Sequence, residues 1–474
     1  MNNMLNKLLN RWYFDYNELS LIRKRKSREW EQKGKKVFSI MIQAPFDYYY
    51  LSLYALVIKK HKSIGNYNYV AVFPEIFRII PDVGYKNLFS FIVSLVDRYL
   101  TKLKWKKLYR SIGVDQFHEI NNVSFFEKLK SLQNGYTEWR KLNSKKELLD
   151  LTLNGVKCGD LIYDTYLRYR VRPTLNIKDI YLLFLLYQCF NVLKGTNVIL
   201  DRLLIKSYFT SYTSYIHHGI IVRNCKLKNI NIYTSGNLQQ RFKYLKKFDL
   251  YHTSYFCNYY TEFNDFPDTS EKLAISRRML LDKFTGTVDH SISYMKESSF
   301  LPSENNNHFG DIKFDGVIFL HDFFDSPHIY GAMLFVDFYE WVVHTLKLIA
   351  HNNLNIAVKP HPNQVKSSQL IISDLKLLFP TIEWLDTSLS NSVIFNSGIK
   401  YGISVYGTVL HELAYHGIHA ISAGENPHSS YQFIQKPKTI RDYDLMILCN
   451  DKLVMPDDYK GQIESFYYMH NINS

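Results

Sequence analysis

Three short apolar runs decide the fold of this chain: GVIFL at 316–320, LNIAV at 354–358 and YGISV at 401–405. Segments with helical spacing lie between and after them, at 332–350, 367–378 and 409–415. Two further short strands are predicted, at 382–385 and 419–422. Short apolar strands that alternate with helices predict a parallel sheet covered on both faces. We therefore expect a doubly wound α/β domain over 312–474.

The N-terminal half shows the same alternation less regularly. Strands are predicted at 36–44 (KVFSIMIQA) and 67–73 (YNYVAVF), and each is followed by a proline. The stretch 298–311 (SSFLPSENNNHFGD) is rich in Ser, Asn, Pro and Gly, which predicts a linker. The expected order is a basic helical lead over 1–35, an α/β domain over 36–297, the linker 298–311 and the C-terminal domain.

Size and charge restrict the function classes. The chain has 474 residues, 46% of them hydrophobic, and its net charge of +14 favours a polyanionic partner such as an anionic lipid or a nucleotide. Residues 98–110 (RYLTKLKWKKLYR) carry six basic residues and no acid at the end of an amphipathic helical pattern. Such a helix either lies on an anionic membrane or packs on the core with a solvated end. A nucleic-acid partner is not expected, because the charge is confined to this segment and the N-terminus and no recognised motif occurs.

Cysteine usage and hydropathy predict a cytoplasmic protein. The five cysteines are scattered without metal-binding spacing, which is typical of reduced thiols. The N-terminus lacks the apolar core of a signal peptide. The most apolar stretch, 180–193, is about fourteen residues long and shorter than a membrane span, so a buried helix is expected. Any membrane contact should be peripheral, at the inner face of the cell membrane.

Polar residues follow each of the three C-terminal strands. Ligands bind at the carboxyl ends of parallel strands, so these residues are the expected phosphate-binding set. Lys359 and His361 can neutralise a phosphate, and Gly407 and Thr408 open a helix whose free N–H groups can bind it. Glu412, one turn into that helix, could accept hydrogen bonds from ribose hydroxyls. The full predicted set is His321, Ser326, Lys359, His361, Ser404, Gly407, Thr408 and Glu412.

VKPHPN at 358–363 and SVYGTVLHELAYHGIHAISAG at 404–424 carry a family resemblance. Together they resemble the C-terminal half of the capsule polysaccharide biosynthesis family, which includes 3-deoxy-octulosonic acid transferases. The resemblance implies a GT-B-like fold of two Rossmann-like domains with a central cleft. It also implies a glycosyltransferase that moves a sugar from a nucleotide-activated donor, CMP-linked being one option, onto a bacterial capsule or lipopolysaccharide glycan. His361 and the segment 404–408 would hold the donor phosphate.

The N-terminal domain should then bind the glycan or glycolipid acceptor and supply a general base. Asp160 and Asp164 are four residues apart, which places both on one face of a helix. One of them could instead cap that helix. His218, beside His217 and Gly219 and near Arg223, is a second candidate that could bind an anionic group of the acceptor, and an exposed turn is its alternative explanation.

No cofactor or metal is expected, the nucleotide-sugar being a substrate. No DxD motif of the kind that holds a divalent ion in GT-A enzymes is recognised, and the group formed by His321, Asp322, Asp325 and His328 is broken by Pro327. Three alternatives stay open: a CDP-polyol phosphotransferase, a nucleotide-sugar 2-epimerase on the same fold, and a basic protein that binds RNA or polysaccharide.

Overall fold

The structure is a computed structural model that describes residues 18, 38–65, 67–74, 88–235, 242–286, 300, 313–362 and 364–473. The chain forms two compact units. Unit 1 comprises 1–170 and 177–252, and unit 2 comprises 171–176 and 253–474. The predicted lead over 1–35, except Glu18, and the predicted linker over 298–311, except Phe300, lie outside the described residues.

Unit 1 has eight described strands and seven described α-helices. The strands are β1 (Ser39–Gln43), β2 (Asn68–Phe73), β3 (Gln116–Glu119), β4 (Thr152–Leu153), β5 (Val156–Lys157), β6 (Ile205–Thr210), β7 (Asn231–Thr234) and β8 (Lys243–Tyr244). The helices are α1 (Tyr48–Lys62), α2 (Leu88–Ser111), α3 (Phe125–Lys141), α4 (Lys145–Leu149), α5 (Gly159–Tyr166), α6 (Ile180–Arg202) and α7 (Ile220–Leu227).

The main sheet of unit 1 has the order β3-β2-β1-β6-β7-β8, and all of its pairs except β7–β8 are parallel. Strand β1 is buried along its whole length, as expected of a central strand covered on both faces. The chain runs outward from β1 to β3 on one side and from β6 to β8 on the other. The carboxyl ends of β1 and β6 therefore form the topological switch point of the sheet, where doubly wound folds bind ligands.

Unit 2 contains five described strands and eight described α-helices. The strands are β9 (Gly316–Phe319), β10 (Ile356–Lys359), β11 (Tyr401–Ser404), β12 (His419–Ser422) and β13 (Ile434–Gln435). The helices are α8 (Tyr259–Asn264), α9 (Thr269–Phe284), α10 (Phe338–His351), α11 (Lys366–Leu378), α12 (Asn391–Asn396), α13 (Val409–Tyr415), α14 (Ile440–Leu448) and α15 (Tyr459–Tyr467).

The unit 2 sheet is parallel throughout, with the order β10-β9-β11-β12-β13. Alternate residues of β9 enter two hydrophobic clusters, Val317 and Phe319 on one face and Ile318 on the other. This two-residue period buries both faces of the sheet. The switch point lies between β9 and β11, because the chain turns to β10 on one side and to β12 on the other.

The predicted fold class is confirmed: the chain is α/β and GT-B-like in having two Rossmann-like units. The strands predicted at 316–320, 354–358 and 401–405 are present within about two residues. The prediction at 382–385 was wrong in part. Among described residues this segment forms only an isolated bridge from Trp384 to Val358.

The division between the units differs from the predicted one. Helices α8 and α9, which the sequence placed in the N-terminal domain, belong to unit 2. The physical reason is their packing against the C-terminal helices. Arg277 of α9 forms an ion pair of 2.6 Å with Glu464 of α15, and Phe263 of α8 packs on Tyr468.

Helix α6 is long and apolar enough to cross a membrane, judged by length and composition alone. Within the described structure, 61% of its most apolar eighteen-residue window is buried. Leu182, Leu186 and Leu193 are among its side chains in the core. The helix thus serves as a core element of unit 1, as predicted for 180–193.

Candidate functional site

The candidate site lies at the switch point of unit 2. Ile318 and Ile403 are neighbours in the register of β9 and β11, so the residues that follow these strands meet. They include His321 after β9 and Tyr406 after β11. The carboxyl end of β10, which carries Lys359, lies on the other side of β9.

His321 is held as a neutral imidazole of one tautomer. Its ring packs between Phe338 and Tyr406, with centroid distances of 5.0 and 4.6 Å. Burial is the main reason why its pKa falls to about 3, and the charge of His361 lowers it further. The backbone N–H of Tyr406 donates to Nε2 over 3.3 Å, so the proton resides on Nδ1. The half-buried ring therefore offers an N–H donor.

Ser404 and Gly407 support His321. The Ser404 hydroxyl donates to the carbonyl of Phe319 over 3.0 Å and lies 3.1 Å from His321 Nε2. A Cβ atom on Gly407 would lie 3.4 Å from the His321 ring. The prediction that Ser404 holds a phosphate does not fit, because its side chain is buried and already bonded. Ser404 instead positions His321 and joins the two strand ends.

Lys359 is a buried cation at the end of β10. Its side chain is 3% exposed, and Nζ donates to Asn391 Oδ1 over 2.6 Å. No carboxylate in the described part of the chain forms an ion pair with it. Burial lowers its pKa to about 8, while the more distant charges of Glu412 and Asp386 act in the opposite direction. A buried ammonium held by a neutral amide alone is costly unless an anion completes its environment.

His361 and Ser326 lie at the same edge of the sheet. The His361 side chain is exposed, yet the protein around it is dense enough to lower its pKa, against the influence of Asp322 and Asp325. Ser326 is buried, and its carbonyl accepts a hydrogen bond from the Tyr406 hydroxyl over 3.2 Å. The structure thus brings His321, Lys359 and His361 to one edge, with Ser326 beneath Tyr406.

The helix that begins after Thr408 departs from the prediction. Helix α13 spans only seven residues, so its dipole is a weaker anion-binding element than the sequence suggested. Thr408 is exposed and makes no side-chain capping bond. Glu412 is buried and forms an ion pair of 2.7 Å with Lys283 of α9. Its predicted role toward ribose hydroxyls therefore does not fit its surroundings.

The predicted aspartates lie in unit 1, on α5. Asp160 is buried and accepts two hydrogen bonds from the Arg223 guanidinium, of 2.6 and 2.7 Å, and another from the Tyr251 hydroxyl. The carboxylate is thus engaged in a bidentate buried ion pair, which argues against its predicted role as general base. Asp164 is fully buried within unit 1, without the exposure that a residue meeting an acceptor hydroxyl needs.

His218 lies at the switch point of unit 1. Gln43, the last residue of β1, accepts the Ser211 backbone N–H with Oε1 over 3.0 Å. This bond orients the Gln43 amide so that its N–H₂ group donates to His218 Nδ1. The proton of neutral His218 is therefore on Nε2. In this tautomer the residue is a hydrogen-bond donor through Nε2, which suits contact with an oxygen of a bound group.

Within the described ranges, no three His, Cys, Asp or Glu side chains come together as a metal site would require. Asp322 has a local role, since it accepts hydrogen bonds from the N–H groups of Phe324 and Val365.

Sequence reasoning missed Asn391, Phe338 and Gln43. Asn391 begins α12, 32 residues after Lys359, and only the fold joins the two. Phe338 looks like an ordinary apolar helix residue. Gln43 could have been found, because it is a polar residue at the end of an apolar strand, the same signal that pointed to His321.

No protein-family model and no curated protein matches the chain. Among solved structures, the UDP-GlcNAc 2-epimerase from Neisseria meningitidis bound to UDP-GlcNAc is similar over 91% of this chain and 96% of its own, with 10% identity and a TM-score of 0.24. A second UDP-N-acetylglucosamine 2-epimerase is similar over 92% of this chain and 94% of its own, with 8% identity and a TM-score of 0.22. Similarity at this level identifies neither reaction nor substrate.

Proposed function

We propose that the chain is a glycosyltransferase that takes a sugar from a nucleotide-activated donor and adds it to a bacterial capsule or lipopolysaccharide glycan. The observation that carries the proposal is the buried Lys359 ammonium, whose hydrogen-bond partner among the described residues is a neutral amide, that of Asn391. It lies at the carboxyl end of a parallel strand, where doubly wound sheets bind nucleotides. A phosphate of the donor would supply the missing negative charge.

Three side chains would contact the phosphate groups of the donor. Lys359 would bind a phosphate oxygen as an ammonium, and His361 would contact the same group from its exposed position. His321 would donate through Nδ1–H, because its Nε2 is occupied by the Tyr406 N–H. These donors favour departure of the nucleotide, since negative charge develops on the phosphate as the bond to the sugar breaks. No metal is required for this scheme.

In unit 1, we propose that the switch point beside β1 binds the acceptor. His218, oriented by Gln43, would donate a hydrogen bond to an acceptor oxygen. This assigns His218 to acceptor binding and not to proton removal. The setting of the reaction is proposed to be the cytoplasm, where nucleotide-sugars are made.

The test is a thermal-shift series with CMP, CDP, UDP, GDP and dTDP. We expect one nucleotide to raise the unfolding midpoint of the native chain, because a ligand that binds only the folded state stabilises it. Lys359→Met should lose most of that shift, and His361→Ala part of it. Lys400→Gln is the matched control, since Lys400 adjoins the opposite end of β11 and is paired with Asp315. An unchanged shift in Lys359→Met would contradict the proposal.

Product analysis then identifies the reaction. A transferase releases nucleotide in proportion to the sugar added to a glycan acceptor. A nucleotide-sugar 2-epimerase would change the sugar without any acceptor, and a CDP-polyol phosphotransferase would release CMP and a phosphodiester-linked polyol. If no nucleotide binds and RNA binds with a steep salt dependence, the chain is a polyanion-binding protein instead.

A further inference from the structure

Helix α3 of unit 1 has its large apolar residues on the outside. Ser131 and Gly135 form its buried face, where a Cβ on Gly135 would lie 3.0 Å from the Tyr187 backbone of α6. The stripe Phe125, Leu129, Leu132 and Tyr136 has the spacing of one helix face, and every member is exposed. Phe126, beside the stripe, is 81% exposed. A helix of a soluble domain normally shows the opposite arrangement.

Helix α6 extends this apolar surface. It runs antiparallel to α3, as shown by the ion pair of Lys194 with Glu127 at one end and the Trp139 to Ile177 hydrogen bond at the other. Ile180, at the start of α6, is 67% exposed. A groove of about 400 Å³ lies on the outer side of this helix pair, and its α6 wall consists of Ile180, Leu183, Phe184 and Tyr187. We call this surface the α3–α6 face.

Cations flank the apolar stripe. Lys128 lines the groove itself, and Lys130 is exposed on the other side of Phe126. Helix α3 carries four basic residues and two acidic ones, and both acids, Glu127 and Glu138, are already paired with lysines. Large aromatic and aliphatic side chains bordered by lysines are the composition of helices that lie in the interface of an anionic bilayer.

We propose that the α3–α6 face docks unit 1 onto an anionic phospholipid bilayer, with the axis of α3 in the membrane plane. The stripe would enter the boundary between headgroups and acyl chains, and the flanking lysines would contact phosphate groups. The opposite charge of the lipid surface favours a bilayer over a second copy of this basic chain. This inference does not depend on the proposed glycosyltransferase activity.

The membrane contact would then lie on the α3–α6 face and not on the basic segment 98–110. Lys104 is buried against Glu18, and Lys102 and Lys106 both pair with Glu119. Half of the basic residues in that segment are thus paired with carboxylates within unit 1. The structure fits the alternative that the segment packs on the core with a solvated end.

The experiment is co-sedimentation of the full chain with lipid vesicles, and centrifugation of the protein alone gives the background. We expect binding to phosphatidylglycerol–phosphatidylethanolamine vesicles and much weaker binding to phosphatidylcholine. The double variant Phe126→Ser/Leu129→Ser should bind about a hundredfold more weakly, about tenfold for each side chain withdrawn from the lipid. Lys128→Gln/Lys130→Gln should weaken binding to anionic vesicles about fivefold per lysine. Because all four residues are exposed, the unfolding midpoint should stay unchanged.

Phe248→Ser is the matched control, since Phe248 is 87% exposed in the same unit and adjoins Lys247 but lies outside the groove. It should bind vesicles like the native chain. Equal binding by the native chain and the serine double variant would overturn the proposal. So would equal binding to both lipid mixtures. A dimer in solution that the double variant converts to a monomer, without vesicle binding, would identify the face as a subunit interface and also overturn it.

Discussion

The two switch points of the molecule share a topology and differ in electrostatics. In unit 2, Lys359 is buried next to the switch point without an ion-pair partner in the described structure. In unit 1, Arg223 on α7 is a buried cation, and Asp160 matches it with two hydrogen bonds. Each switch point also has a histidine with an assigned tautomer, His321 with its proton on Nδ1 and His218 with its proton on Nε2.

This difference shows that the fold determines where polar side chains gather, whereas the charges of those side chains determine what can bind. The parallel sheets place polar side chains at both crevices, but of the buried lysines and arginines among the described residues, Lys359 at the unit 2 crevice is the one without an ion pair. A bound anion would supply the charge that is missing there. The expectation is that unit 2 binds phosphate and that unit 1 binds a neutral, hydroxyl-rich ligand. Substitutions that remove one charge at a time test this difference between the two units.

The largest effect is expected from Asp160→Asn. It leaves the Arg223 guanidinium buried without its carboxylate, and breaking a buried pair in this way costs about 3–5 kcal/mol. Urea unfolding followed by a unit 1 signal should show this loss. Asp201→Asn, which removes an exposed pair with Lys228, is the control and should change little. If Asp160→Asn kept its stability and lost only activity, Asp160 would be a catalytic group after all.

Lys359→Met, unlike Asp160→Asn, should not lower the free energy of unfolding at neutral pH. Replacing a buried cation by an apolar side chain of similar shape is neutral or stabilising in the absence of ligand. The pKa of Lys359 is about 8 in the folded chain and 10.5 in the unfolded chain, so the unfolded state binds the extra proton between these values. The stability of the native chain should therefore rise with pH across this window.

The effect is measured as the difference in unfolding free energy between the native chain and Lys359→Met from pH 7 to about 11. We expect this difference to shift in favour of the native chain by about 3 kcal/mol as the pH rises through 8 to 10.5. Nucleotide affinity of the native chain should fall over the same range, since the ammonium is lost. A pH-independent difference would mean that Lys359 is not a desolvated cation.

The sequence predicted the sheet of unit 2 well because its strands are short, apolar and bounded by polar residues. The boundaries of α13 and β12 match the predictions for 409–415 and 419–422 residue for residue. Ion-pair partners that come from segments distant in the sequence could not be predicted. Nothing near Glu412 in the sequence indicates that Lys283 of α9 neutralises it, and nothing near Asp160 indicates Arg223. Residue type and spacing locate a strand end, whereas charge pairing is decided by tertiary packing.

A smaller effect is expected from Ser404→Ala. It removes the hydrogen bond to the Phe319 carbonyl and the contact with His321 Nε2, so a buried acceptor loses its partner at a cost of about 1–2 kcal/mol. Ser373→Ala removes the same kind of hydroxyl-to-carbonyl bond at an exposed position and should cost less. Urea unfolding of both variants gives the comparison. Equal losses would show that Ser404 does not hold the switch point together.

The smallest change in stability is expected from Thr408→Ala. Its side chain is exposed and makes no capping bond, so the free energy of unfolding should change by less than about 0.5 kcal/mol. If the hydroxyl meets the donor phosphate, nucleotide affinity measured by calorimetry should still fall by up to about tenfold. Ser404→Ala should then lower mainly the stability, because Ser404 positions His321. Thr408→Ala should lower mainly the nucleotide affinity, because Thr408 would contact the phosphate directly. A loss of stability without a loss of affinity in Thr408→Ala would make this residue a helix cap and leave phosphate binding to Lys359, His361 and His321.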